Sequence, residues 1–279
     1  MIPFDWIYCQ PDSLDEAVSF FVQMQASGKS PVYYGGGSEI ITMSRAGSIA
    51  PGTVIDIKKV PECTVLELSS DKLILGTANP LNTIKERKLF PMLGTACGRV
   101  ADHTNQCRIT LGGNLCGTII YRETSLPLLL VDAQVVVCGP NETRTEPFSA
   151  IFKQRMMLNP GELVTQIHVP LWALQAPYFH IKKTAQEKID YPLVNVTAVC
   201  KDGKFRFAFS GLCKFPFRSM EIEQVLNDRT VSVEARVDAI PRLLPQPAHT
   251  DVEGSGAYQV FVLKNTLRNL LEEIEHGGV

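Results

Sequence analysis

The sequence predicts an α+β fold, and three observations carry that expectation. Helical and strand segments mix without regular β-α-β alternation, which argues against a doubly wound parallel sheet. Residues 204–209 alternate apolar and polar behind a two-residue Asp202-Gly203 turn, as an antiparallel hairpin does. The 279 residues exceed one average domain, so several units are expected. Their expected limits are 1–60, 61–170 and 171–279.

In the first unit, Ser13 is the expected N-cap of a helix and Glu16 completes a capping box. Val18, Phe21 and Val22 share its apolar side, and Gly28 ends it. Pro31-Val32-Tyr33-Tyr34 reads as a strand running into Gly35-Gly36-Gly37. Ser38 is expected to cap a short helix through Arg45, with a strand following at Val54-Ile55-Asp56-Ile57.

The second unit opens near Pro61 with a hairpin, Leu66-Glu67-Leu68 and Leu73-Ile74-Leu75-Gly76. Leu81, Ile84, Leu89, Leu93 and Val100 suggest helical segments. Leu126 to Val131 is a buried helix or strand, and Gln134 to Cys138 a strand. Gly161 to Pro170 stops at proline, as an edge strand would. The third unit carries strands at 178–181, 194–199 and 204–209, and two helices close the chain. The last helix aligns Val260, Leu263, Leu267, Leu270, Leu271 and Ile274.

Composition excludes several classes. Apolar residues make up 45% and charged residues 20%, an ordinary globular balance. A net charge of −2 without a basic stripe argues against nucleic acid. The start lacks a signal peptide's pattern, and the apolar stretch from Leu126 to Cys138 is too short to span a bilayer. A cytoplasmic protein is expected. The eight cysteines form no CxxC pair, so no metal site is expected and the thiols are read as reduced.

The chemistry points to two glycine-centred loops. The first, Tyr33-Tyr34-Gly35-Gly36-Gly37-Ser38-Glu39, joins a strand to a helix, an arrangement that holds anions. It fits neither the Rossmann nor the P-loop fingerprint. The second is Thr110-Leu111-Gly112-Gly113-Asn114. Both offer small residues with backbone N–H groups, so facing loops can hold a diphosphate without a lysine. Glu39 would be repelled by phosphate. It suits sugar hydroxyls, a backbone N–H, or a plain first-turn acid. Arg108 supplies a charge or is a solvated loop residue, and Asn114 binds ligand or supports a turn.

These residues bring a family into view. Gly35-Gly36-Gly37-Ser38-Glu39-Ile40 is similar to the A-G-G-T-D-L flavin loop of the FAD-binding subunits of molybdenum hydroxylases, the xanthine dehydrogenase and carbon monoxide dehydrogenase family. Thr110 to Leu115 resembles that family's T-I-G-G-N motif, followed by Leu or Ile. Ile55-Asp56-Ile57 with Pro61-Glu62 resembles the strand after the first loop. The opening around Pro11 to Ala17 and the stretch Asp251 to Tyr258 resemble the family's two ends.

The resemblance implies a vanillyl-alcohol-oxidase-like (PCMH-type) FAD-binding fold. Two FAD-binding sub-domains, 1–60 and 61–170, would precede a C-terminal α/β domain with a small antiparallel sheet. Tyr33, Tyr34, Gly35, Gly36, Gly37, Ser38 and Glu39, with Thr110, Gly112, Gly113 and Asn114, would wrap the FAD diphosphate and ribityl chain. Glu123 aligns with an aspartate near the adenosine end. Val100 aligns with an aromatic over the flavin ring, Val164 with a strand lining its other side, and Lys182 with a basic position near it. Asp190 follows eight residues on.

The implied function is an FAD-dependent oxidoreductase subunit. Electrons would come from partners bearing molybdopterin and 2Fe–2S clusters and leave to NAD or another acceptor. No catalytic acid, base or nucleophile is required of this chain, because the cofactor does the redox chemistry. One departure stands out. Where the family reads A-S-P-x-x-D, this chain reads Gly117-Thr118-Ile119-Ile120-Tyr121-Arg122-Glu123. Near the C-terminus, Glu253 and Gln259 stand where the family has arginines. The alternatives are a scaffold subunit with an eroded flavin site and a stand-alone flavin oxidoreductase.

Overall fold

The computed structural model describes residues 1–187 and 189–277. The first sheet has three strands, β1 (Ile7–Cys9), β2 (Pro31–Tyr34) and β3 (Thr53–Asp56), in the order β1-β3-β2. Both outer strands run parallel to β3. Parallel neighbours need a crossover, and helices α1 (Leu14–Ala26) and α2 (Ser38–Arg45) provide it. This part of the chain therefore does alternate β-α-β. Its strands, three and four residues long, are too short to show a sequence period.

Ser13 caps α1, accepting from the Glu16 N–H at 3.2 Å. The Glu16 carboxylate reaches back to the Asp12 N–H at 3.0 Å, one residue earlier than a capping box would place it. Ala17, Val18 and Phe21 are the buried side of the helix, and the Phe21 ring stacks on Tyr33 with centroids 4.9 Å apart. Ser38 does not cap α2. Gly37 holds the cap position at φ +74°, a left-handed conformation that favours glycine, and no side chain caps the helix.

The second sheet is antiparallel throughout. It contains β4 (Leu66–Leu68), β5 (Lys72–Gly76), β6 (Gln134–Cys138), β7 (Thr143–Pro147) and β10 (Leu163–Pro170), in the order β4-β5-β10-β6-β7. A ribbon of β8 (Phe152–Lys153) and β9 (Arg155–Met156) stands apart. Contrary to the edge-strand expectation, β10 is the central strand, paired with both β5 and β6. Pro170 is tolerated because it is the last residue. The β6 pairing ends at His168, so the missing N–H falls beyond it.

Short helices surround this sheet: α3 (Pro61–Thr64), α4 (Leu81–Arg87), α5 (Pro91–Cys97), α6 (His103–Gln106), α7 (Leu111–Cys116), α8 (Ser125–Leu130) and α9 (Phe148–Ile151). The run from Leu126 resolves as helix α8, all of whose residues are buried. Leu73, Leu75, Phe90, Leu93, Leu111, Leu126, Val135 and Ile167 belong to the main core between helices and sheet.

The third sheet is β11 (Tyr178–Thr184), β12 (Pro192–Lys201), β13 (Lys204–Ser210) and β14 (Phe217–Arg218), antiparallel in that order. Asp202 and Gly203 turn between β12 and β13 with φ of +52° and +75°, a tight hairpin turn. Alternation along the strands separates two faces. Val196, Phe207 and Phe209 join a second core with α10 (Met220–Asn227), α11 (Val233–Ala239) and α12 (Gly256–His276). Val199 and Ala208 face the main core instead. Among the described residues three α-helices, not two, follow the sheet. The early pair are eight and seven residues long and stand on their own N-caps, Ser219 and Ser232. All eight cysteines are free thiols. Among the described residues no helix is long and apolar enough to cross a membrane.

Candidate functional site

The two glycine loops touch. A Cβ on Gly36 would stand 1.5 Å from the Arg108 carbonyl oxygen, and one on Gly35 would stand 2.5 Å from Thr110 Oγ1. Only hydrogen at these positions lets the loops approach so closely. Behind them, Lys58 Nζ holds the Gly35 carbonyl at 3.0 Å and Asp56 Oδ2 at 2.6 Å. Burial pushes the Asp56 carboxyl upward, but the hydrogen bonds from Lys58 and Tyr8 outweigh it and hold the group below its usual range.

A cavity of about 810 Å³ lies beside this junction. That is within the range of small-molecule and cofactor sites, roughly 300–1,000 Å³. Its wall takes Tyr33, Gly35, Gly36, Gly37, Ser38 and Glu39 from the first loop, and Thr110, Gly113 and Asn114 from the second. Val100, Glu123 and Lys182 complete the expected residues there, and Asp190 also lines it.

Tyr34, Gly112 and Val164 lie outside the wall. The Tyr34 ring packs beneath Gly37 and under Lys58 Nζ, 4.7 Å from its centroid. Gly112 backs onto Thr77. Val164 is 2% exposed in central strand β10, within the main core. Arg108 is exposed and away from the cavity; its carbonyl, not its charge, serves the junction.

The loops differ in what they offer an anion. In the second loop the N–H groups are already bonded: Leu111 to Asn79 O, Gly112 to Thr77 O, Gly113 to Thr110 Oγ1 and Asn114 to Thr110 O. In the first, among the described residues, the N–H groups of Gly36 to Ile40 meet no protein acceptor. A helix N-terminus with free N–H groups is an anion site. The expected two-sided backbone cradle is thus one-sided. The second loop contributes shape at Gly113, where an added Cβ would meet only Thr110 Oγ1, at 3.0 Å. It also contributes Asn114, whose Oδ1 is taken by Thr124 Oγ1 at 2.6 Å, leaving the amide N–H₂ as donor.

Glu39 resolves in favour of backbone partners. Its carboxylate accepts from the Thr118 N–H at 2.8 and 3.0 Å and from the Ile119 N–H at 3.3 Å. The first loop therefore fastens the segment that follows the second. At the far end, Glu123 is buried and receives Lys182 Nζ at 2.7 Å. Lys182 also donates to the Arg99 carbonyl at 2.8 Å. Burial pushes the Glu123 carboxyl up, against the pull of Lys182. His180, two residues before Lys182 on β11, is held down at about 3 by burial, with Arg99 and Lys182 adding to it.

Three features of the wall were not foreseen. Tyr121 and Tyr191 stack with centroids 4.8 Å apart, and Tyr121 donates to Asp251 at 3.2 Å. Thr118 and Ile119 are the anchors of Glu39. Arg122 is buried in the wall at 6% exposure. All lie in or against the segment that departs from the family pattern, so no motif could mark them.

Comparison with known proteins agrees with this geometry. Residues 3–172 match the family described as FAD binding domain in molybdopterin dehydrogenase. The glyceraldehyde dehydrogenase medium chain of Sulfolobus acidocaldarius is 23% identical over 98% of this chain and 100% of its own length. The carbon monoxide dehydrogenase medium chain of Hydrogenophaga pseudoflava is 27% identical over 62% of this chain and 61% of its own length. A solved structure of carbon monoxide dehydrogenase from that organism, lacking the Mo-pyranopterin moiety of its molybdenum cofactor, superposes with a TM-score of 0.85 at 23% identity, covering 96% of each chain. Quinoline 2-oxidoreductase from Pseudomonas putida 86 gives a TM-score of 0.84 at 18% identity, covering 98% of each chain. The α+β architecture is the vanillyl-alcohol-oxidase-like FAD-binding fold that the sequence led us to expect. With a cavity beside paired glycine loops and a family match over more than half its length, the chain belongs to the FAD-binding medium subunits of the molybdenum hydroxylase family, its cofactor is FAD, and it is an oxidoreductase subunit.

Proposed function

We propose that this chain is the electron-exit subunit of a hetero-oligomeric molybdenum hydroxylase. A molybdopterin-binding large subunit would oxidise the substrate. A small subunit with 2Fe–2S clusters would carry the electrons here, and NAD or another acceptor would take them away. The relatives named as medium chains support that assembly. The proposed compartment is the cytoplasm.

The observation that carries the reading is the row of unpartnered N–H groups from Gly36 to Ile40 at the start of α2, facing a cavity of cofactor size. Bound FAD supplies the redox chemistry. The chain's residues bind and orient it. The α2 N-terminus and Ser38 take the diphosphate, and Gly113 lets it lie against the second loop. Asn114 donates from its amide, and Tyr33 supports the first loop by donating to the Gly161 carbonyl at 2.9 Å. Val100, Glu123 and Lys182 shape the other end. Residues 1–60 and 61–170 form the two halves of the cofactor site in this reading, and residues 171–279 close it.

The test is anaerobic. Purified full chain loaded with FAD is mixed with NADH, and the flavin's visible band is followed. Bleaching supports NAD as the acceptor, because the same step runs in reverse. A flavin that stays oxidised with NADH rules NAD out and leaves another acceptor. Affinity purification from the native host should bring down a molybdenum-containing and an iron–sulfur subunit. A chain that purifies alone, binds FAD and turns over substrate would overturn the assembly.

A further inference from the structure

Arg122 is a buried charge without a partner of opposite sign. Its Nε donates to the Gly117 carbonyl at 2.9 Å and its Nη1 to the Gln154 carbonyl at 3.1 Å. Both acceptors are neutral. Among the described residues no carboxylate comes within 4.0 Å of the guanidinium, and Nη2 has no acceptor. The acid that acts on it, Glu39, does so from farther off and gives its oxygens to Thr118 and Ile119. Buried cations are normally paired, because leaving water without compensation is costly.

The backbone holds this charge in place. Arg122 has φ +28°, a conformation that side-chain-bearing residues rarely adopt. Strain of this kind gathers where the surrounding structure fixes a group for use. Its location follows from Gly117, whose carbonyl it holds. A Cβ on Gly117 would meet Glu39 Oε2 at 2.9 Å, so Arg122 is held to the segment that the Glu39 side chain fastens, and it lines the same cavity as the free N–H groups of α2.

We propose that Arg122 is the specificity-determining cation of the site and pairs with the diphosphate of the bound dinucleotide. This rests on the FAD-binding reading and deepens it. The guanidinium keeps two donors on the wall and has three others, in a planar fork, to give a phosphate, where a lysine would have one left. Arg122 thus stands in for the lysine that the glycine loops lack. It favours ligands with a diphosphate over those with only the ring system.

Wild-type full chain, R122M and R122K are titrated with FAD, ADP and riboflavin at low and high salt. R122M should bind FAD and ADP at least about tenfold more weakly and riboflavin unchanged, with a flatter salt dependence for FAD. R122K should keep the salt dependence and lose part of the affinity. R122M that binds FAD like wild type overturns the proposal, as does an equal loss for riboflavin, which would make Arg122 only a wall support. Should R122M not fold, wild type that binds riboflavin as tightly as FAD overturns it alone. Wild type that binds neither FAD nor ADP overturns the FAD-binding reading, and this proposal with it.

Discussion

The Arg108 carbonyl oxygen lies 1.5 Å from where a Cβ on Gly36 would stand. Two backbone segments far apart in sequence are therefore in direct contact, and the contact forms one wall of the cavity. Gly36→Ala must separate them, since neither atom belongs to a flexible side chain. Overpacking of this kind costs about 1–3 kcal/mol. Chemical denaturation should show that loss, and FAD affinity should fall with it because the loop carrying the free N–H groups moves.

Gly113 answers differently. A Cβ there meets only Thr110 Oγ1, at 3.0 Å, and otherwise points into open space. Gly113→Val should leave stability within about 1 kcal/mol, since valine is no worse than glycine in a helix. It should weaken FAD binding by about tenfold or more, about 1.4 kcal/mol, by filling the space beside the second loop. Equilibrium dialysis reads the affinity and thermal melting reads the fold. A variant that melts early and still holds FAD would contradict both halves of the expectation. The contrast between Gly36 and Gly113 separates a glycine needed by the fold from one needed by the ligand.

The first loop was legible in the sequence because its glycines follow a strand, and the second because two adjacent glycines lie between Thr110 and Asn114; that Thr110 caps α7 is shown by the structure. The division of labour between them was not legible. Two of the acceptors that occupy the second loop's N–H groups, Asn79 for Leu111 and Thr77 for Gly112, belong to another segment, and no local pattern announces that pairing. The centrality of β10 was hidden for a similar reason: Pro170 suggests an edge, while the partners Leu75 and Val135 come from distant strands. Ser38 looked like a cap because serine usually is one, yet the left-handed Gly37 occupies that place. Spacing put Glu123 near the adenosine end and Lys182 near the flavin ring, but the two meet at 2.7 Å and so share one end of the cavity.

Glu39 fastens the segment after the second loop through the N–H groups of Thr118 and Ile119. Hydrogen bonds to a charged acceptor contribute about 1.5–3 kcal/mol when buried, and less here because Thr118 is exposed. Glu39→Ala should speed amide exchange at Thr118 and Ile119 by about tenfold, roughly 1.4 kcal/mol. Exchange at β12, in the core of the third sheet, should be unchanged. Glu39→Gln should fall between, because its amide keeps one acceptor oxygen. Unaltered exchange at Thr118 in Glu39→Ala would show that the segment holds itself.

Glu162 gives a pH-dependent test away from the cavity. Its carboxylate accepts from Arg144 Nη2 at 3.0 Å and from the Asn159 N–H at 2.7 Å. Arg144 first, and Asn159 with it, hold the group down at about 2, against an ordinary value of 4.5. The folded state therefore favours the ionised form. The stabilisation is present above pH 4.5 and is lost as the pH falls toward about 2. Glu162→Gln removes this titration. Wild type should be more stable than Glu162→Gln at neutral pH, and their urea midpoints should converge as the pH falls through that window. Parallel midpoints across the window would mean that Arg144 and Glu162 do not hold each other in solution.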